Sequence, residues 1–148
     1  MKVSLDSNIL IYAVDLADLA KQKVAIDFID RAAQTGGTLT EQALFEFLHV
    51  VVRKFSFPRD RAFEIVRRWR GLFDVVATSD ALVDATEDLM QRHNLGVWDS
   101  RLVALCAAAD VSLLLSEDLQ DGGRYGRVLV VNPFLATNIP ILDTLLPS

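Results

Sequence analysis

The sequence is poor in the residues that build disulfide frameworks and most zinc sites. It has one cysteine, Cys106, and two histidines, His49 and His93. A single cysteine excludes an internal disulfide and fits a reducing, cytoplasmic setting. Two histidines are too few for a convincing metal cage. Lysine is also scarce: Lys2, Lys21, Lys23 and Lys54 are the only four, and none follows residue 54. Aspartyl phosphoryl-transfer proteins normally need a late lysine, so that class is disfavoured. No run of about 18 uncharged apolar residues occurs, so no membrane span is expected. The apolar stretch from Val103 to Ala109 stops at Asp110. A secretory leader is not expected either, because Asp6 interrupts the opening segment at once. Net positive charge is missing as well. At -5 the chain is not a general nucleic-acid binder by charge.

What is present suits one compact domain: 148 residues, 51% of them hydrophobic. Charge is uneven. Residues 53 to 70 hold seven basic groups and two acids, a local +5, while the other residues sum to -10. Arg53, Lys54, Arg67 and Arg68 in this window could guide phosphates locally. A solvated helix face is the plain alternative.

Hydrophobic periodicity gives the order of elements. Strands are expected at Lys2 to Leu5, Thr38 to Thr40, Phe73 to Ala77, Val111 to Leu115 and Val128 to Val131. Helices are expected at Asn8 to Val14, Leu16 to Ala33, Glu41 to Phe55, Pro58 to Arg70, Ala81 to His93 and Asp99 to Ala109. Strands separated by helices favour an α/β fold: a central, mostly parallel sheet of four to five strands, covered by helices on both sides. The whole of 1–148 reads as one domain. Its last stretch, 132–148, lacks a clear period and is expected to pack on the surface as a tail. The glycine-rich segment from Gly122 to Gly126 precedes a strand, not a helix, so a phosphate cradle is not expected there. Cys106, among alanines and valines, reads as a small core residue. His93 reads as a helix-end residue, and Trp69 and Trp98 as core or interface residues, with stacking on a base as the alternative.

Sites in open parallel sheets form beyond the carboxyl ends of the strands. Asp6 follows the first strand directly. Asp118 comes three residues after the run ending at Leu115. Asp99 opens the helix that leads into that same run, so its end should lie at the same rim. Each acid alone could be a helix or turn cap. Together they would repel one another and raise each other's pKa unless a cation lay among them. An all-oxygen set without cysteine or histidine suits Mg²⁺ or Mn²⁺ rather than zinc. Glu46 stands on a polar stripe with Gln42, His49 and Arg53, which faces either water or a cleft.

Four segments carry a family resemblance. VSLDSNILIYAVD, TEQALFEFLHVVVRK, HNLGVWDSRLVALCAAAD and LLLSEDLQDG resemble, in this order, the acid-bearing segments of PIN-domain nucleases. The likeness is strongest to the VapC-type toxins of VapBC toxin–antitoxin pairs, and VLVVNPF resembles the family's final strand. The match extends to about Phe134. It implies a three-layer α/β/α fold and a Mg²⁺- or Mn²⁺-dependent endoribonuclease. Asp6, Glu46, Asp99 and Asp118 would be the catalytic acids. Asp6, Asp99 and Asp118 would bind metal directly, Glu46 directly or through water, with Asp121 a secondary candidate and Glu117 another nearby acid. Asn8 would steady the first acid. Ser116 would support the site where the family often has threonine. Cleavage would use a water that the ion activates. The resemblance also implies an RNA substrate such as tRNA or rRNA, a cognate antitoxin and a homodimer. The alternatives are a PIN nuclease of RNA processing, or a catalytically silent RNA- or protein-binding module on the same fold.

Overall fold

The computed structural model describes all residues, 1–148. It contains β1 (Val3–Leu5), α1 (Ser7–Tyr12), α2 (Leu19–Gln34), β2 (Thr38–Thr40), α3 (Glu41–Arg53), α4 (Arg59–Leu72) and β3 (Asp74–Val76). There follow α5 (Leu82–His93), α6 (Val97–Ala108), β4 (Leu113–Leu115), β5 (Arg124–Tyr125), β6 (Val128–Val131) and α7 (Ile139–Leu145), the last after a short 3₁₀ turn. The sheet order is β3-β2-β1-β4-β6-β5. All pairings are parallel except β5 with β6. Helices cover both faces, giving the three-layer α/β/α arrangement expected.

The central strands show why the sheet forms. Val3, Leu5 and the three leucines of β4 are essentially inaccessible. A strand buried on both faces can be apolar at every position, and the Leu113–Leu115 run is of that kind. β1 and β4 stand side by side in register, Leu5 opposite Leu115. The ladder runs on past β1, since the Asp6 amide donates to the Leu115 carbonyl at 2.9 Å. Asp6 and the turn after β4 therefore leave the sheet together, at the carboxyl edge of adjacent strands.

The helices pack by their apolar stripes. α3 buries Ala43, Leu44, Phe47 and Val51, and Phe47 meets Trp69 of α4 edge-on at 4.7 Å between ring centroids. Trp69 is therefore a core residue. Cys106 is buried on α6, and burial pushes its thiol up to about 12. α2 stops at Gly36, where φ is +72°, a conformation that glycine adopts without the Cβ clash.

Three features differ from expectation. The sheet has six strands rather than four to five. The glycine-rich segment supplies the extra one: Arg124 and Tyr125 hairpin back on Val128 and Leu129. Two residues are too few to show an alternating pattern. The stretch 132–148 is not only a surface tail. It folds into α7, which places Leu142 and Leu146 in the main core. With seven residues, that helix is about two turns long and too short to establish a period. Finally, α6 starts at Val97, not at Asp99. Gly96 is its N-cap and contributes no side-chain bond, so Asp99 lies inside the first turn and is not a cap.

Candidate active site

Four acids from four segments lie around the carboxyl edge of β1 and β4. Asp6 is the buried one, 6% exposed. Its Oδ1 accepts the Ser7 amide at 2.7 Å, so Asp6 does cap α1. Its Oδ2 accepts the Ser116 hydroxyl at 2.7 Å and the Asn8 side-chain amide at 3.1 Å. The cap and the site use opposite oxygens of one carboxylate.

Short polar side chains join Glu46 and Asp118 to it. The Ser7 hydroxyl donates to Glu46 Oε2 at 2.6 Å. Asn8 Nδ2 bridges Asp6 and Asp118, at 3.1 Å to each. Asn8 Oδ1 in turn accepts the Glu117 amide at 3.2 Å, which fixes the orientation of its side chain. Ser116 Oγ accepts the amides of Asp118 and Leu119, so the serine, and not Asp118, caps that turn. Asp99 is the open member: its carboxyl group accepts no hydrogen bond, but Asp118 and Glu46 both act on its charge.

Burial and like charge act in the same direction here. Burial raises the Asp6 carboxyl from 3.8 to about 6, against the lowering bonds from Ser116 and Ser7, and the charges of Glu46 and Asp118 add to the rise. The Asp99 carboxyl is also raised, by burial first, then by Asp118 and Glu46. Such a set resists full ionisation unless positive charge enters it. The donors are all oxygen, which suits a hard divalent cation. No three of the acids converge closely enough to make a ready metal cage. The Ser7 and Asn8 side chains stand between them instead.

The alternative acids are engaged elsewhere. Asp121 Oδ1 accepts the Asn132 amide and Asn138 Nδ2, both at 2.8 Å, and so anchors the segment before α7. Glu117 pairs with the Lys21 ammonium, which also lies over the rings of Tyr12 and Phe134. The four basic residues chosen from sequence, Arg53, Lys54, Arg67 and Arg68, are all exposed. Arg67 lines a groove between α3 and α4 with Phe45 and Phe63, whereas Arg68 lies by Arg61, Glu64 and Ile65. His93 stacks edge-on against Tyr125, away from the acids.

The family model of the PIN domain matches residues 3–120. The chain belongs to the PIN-domain family. Solved structures share the fold at low identity. VapBC2 of Rickettsia felis, bound to a DNA fragment from its promoter, is 13% identical, with TM-score 0.66, covering 89% of this chain and 98% of that one. VapC20 of Mycobacterium tuberculosis, a toxin that cleaves the sarcin–ricin loop, is 13% identical, with TM-score 0.61 and coverage of 78% and 89%. A toxin–antitoxin complex from Klebsiella pneumoniae is 18% identical, with TM-score 0.63 and coverage of 88% and 97%. No curated protein sequence matches significantly.

Within this PIN fold, sequence reasoning missed the residues that hold Glu46. Gln42 is buried, and its Nε2 donates to Glu46 Oε1 at 2.9 Å and to the Trp98 carbonyl at 3.0 Å. It thereby ties α3, which carries Glu46, to α6, which carries Asp99. Its Oε1 accepts Arg101 at 2.6 Å. The signal was available, because Gln42 and Glu46 share the polar stripe of α3. The role of Ser7 had no comparable signal, since it depends on which rotamer reaches across to α3. No helix of the PIN domain is long and apolar enough to cross a membrane.

Proposed function

We propose that this chain is a Mg²⁺- or Mn²⁺-dependent endoribonuclease and the toxin of a type II toxin–antitoxin pair, acting in the cytoplasm. One observation carries the reading: four carboxylates from distant segments share one rim, and Asp6 there is raised to about 6. Asp6, Asp99 and Asp118 would hold the ion, with Glu46 joining directly or through a water. A bound divalent ion would polarise the phosphate and lower the pKa of a water.

The chain's own residues prepare that site. Ser116 and Ser7 stabilise the charged form of Asp6, which burial opposes. Asn8 holds Asp6 and Asp118 at a common donor, so the two carboxylates keep a fixed separation. Both oxygens of Glu46 already accept bonds, one from Ser7 and one from Gln42. Asp99 has none to break and is free to turn toward an incoming cation.

Partners follow from the same reading. The matched structures include toxin–antitoxin complexes, which supports a cognate antitoxin. The α3–α4 groove, with Leu44, Leu48, Phe63 and Val66, is apolar surface of the kind a protein partner covers. A homodimer and a structured RNA substrate, tRNA or rRNA, complete the proposal. A catalytically silent module would also account for acids spaced more widely than a ready cage. Cleavage of RNA with Mg²⁺ or Mn²⁺, with and without EDTA, decides between them. Asp6→Ala and Asp99→Ala should abolish activity; equal cleavage by wild type and both variants rejects the site.

A further inference from the structure

Beside Glu46 lies a groove of about 530 Å³, lined by Glu41, Gln42, Phe45, Glu46, His49, Trp98 and Arg101. Its only apolar lining residues are two aromatics, Phe45 from α3 and Trp98 from α6, which are 67% and 64% exposed. Scattered exposed apolar residues are ordinary, but these two large rings stand together at one groove. The remaining lining is polar or charged. The neighbouring α3–α4 groove shares Glu41 and Phe45 with it but adds the aliphatic side chains of Leu44, Leu48, Val66 and Val75, which the groove beside Glu46 lacks.

The walls are held in place. Gln42 bonds Glu46 on its own helix and the Trp98 carbonyl on the other. Arg101 donates to Gln42 at 2.6 Å and to Glu41 at 3.3 Å, and its guanidinium lies 5.9 Å from the Trp98 ring centroid. Glu41 also accepts the Thr78 amide at 3.0 Å, which ties in the segment after β3. The two aromatic residues thus come from helices joined by a buried, fully bonded amide, and a ligand would not have to assemble the groove.

We infer that this groove is a nucleobase subsite, which holds a base of single-stranded RNA on Phe45 and Trp98 while the adjoining phosphate lies at the acidic rim. The inference rests on the nuclease reading for the identity of the polymer. Continuity argues for it: Glu46 belongs to both the rim and the groove. Every base has a π-face, so stacking tolerates sequence. His49 and Arg101 supply polar contacts at the groove for the edge of the base. A second copy of this chain seated on the same aromatics is the competing occupant.

The test separates these outcomes and needs no catalysis. Trp69 is buried and Trp98 exposed, so Trp98 is the tryptophan that solvent-borne ligands can quench. A single-stranded hexaribonucleotide is titrated in EDTA at about 0.3 M salt, where the acids are screened. Saturable quenching is expected, with none from base-free polyphosphate. Binding of the labelled oligonucleotide should weaken at least about fivefold in Trp98→Ala and in Phe45→Ala. Trp98→Phe and Phe45→Tyr should bind as wild type does. Absent quenching, or alanine variants with unchanged affinity, overturns the proposal. So does sedimentation showing that either alanine variant only splits a dimer while RNA affinity holds. Intact quenching in a protein that cleaves no RNA would reject the nuclease reading and leave the subsite standing.

Discussion

The Asp6→Asn variant should gain stability relative to wild type as pH rises, by about 3 kcal/mol between pH 4 and pH 7 in the absence of metal. The figure comes from the site itself. Folding raises the Asp6 carboxyl from 3.8 to about 6. Two units at about 1.4 kcal/mol each give the span. The sign follows from proton uptake. Between the two pKa values the unfolded chain has lost this proton and the folded protein still holds it. Stability contributed by the protonated acid is therefore complete below about pH 4 and lost as pH passes through 6. Asparagine cannot ionise, so the loss is missing from the variant. The amide also disturbs the bonds from Asn8 and Ser116, which shifts the whole difference curve but not its slope. Urea unfolding of both proteins in EDTA at several pH values measures it. Mg²⁺ should flatten the wild-type curve alone, because an ion that displaces the proton stabilises the folded state by mass action. Its affinity should fall by about tenfold per pH unit below 6, with proton release detectable by calorimetry in two buffers. A difference curve that is flat, or that slopes the other way, would remove the electrostatic basis of the site.

Three further outcomes follow from neighbouring observations. Asp99→Asn should raise the metal-free melting temperature slightly and abolish cleavage, since the Asp99 carboxyl accepts no bond yet faces two acids; a lowered melting temperature would contradict this. Leu142→Ala should cost about 2–5 kcal/mol in urea unfolding, because α7 places this side chain in the core and truncation leaves a cavity; a loss below 1 kcal/mol would make the segment a mere tail. Gln42→Leu should weaken Mg²⁺ binding in calorimetry more than it lowers the melting temperature, by releasing Glu46 from α6; unchanged Mg²⁺ affinity would deny Gln42 that role.

Much of the architecture was readable because burial imposes a simple pattern. Leu113 to Leu115 must be apolar on both faces of a parallel strand, and the sequence there is three leucines in a row. Residues whose roles depend on distant partners were not readable in that way. Asp6 invited two readings, cap or ligand, and the structure uses separate oxygens for the two sets of bonds. Asp99 looked like a cap because it precedes an apolar helix, but the helix begins two residues earlier. Asp121 and Asp118 are three residues apart and chemically identical. Only the fold sends one toward Asn8 and the other toward Asn132 and Asn138.

The shared rim explains why such a site is costly to keep. Asp6 is buried with Glu46 and Asp118 acting on it, and the donors of Ser116 and Ser7 offset only part of the burial. Replacing the acids by neutral residues would make the metal-free domain easier to fold. Their presence makes sense if the folded state is completed by something positive, and an all-oxygen donor set favours a hard cation over a protein amine. The one nearby lysine, Lys21, is already committed to Glu117 and to two aromatic rings. Lys21→Met should therefore leave the acid cluster's demand for a cation in place, whereas an ion that binds the rim should relieve it.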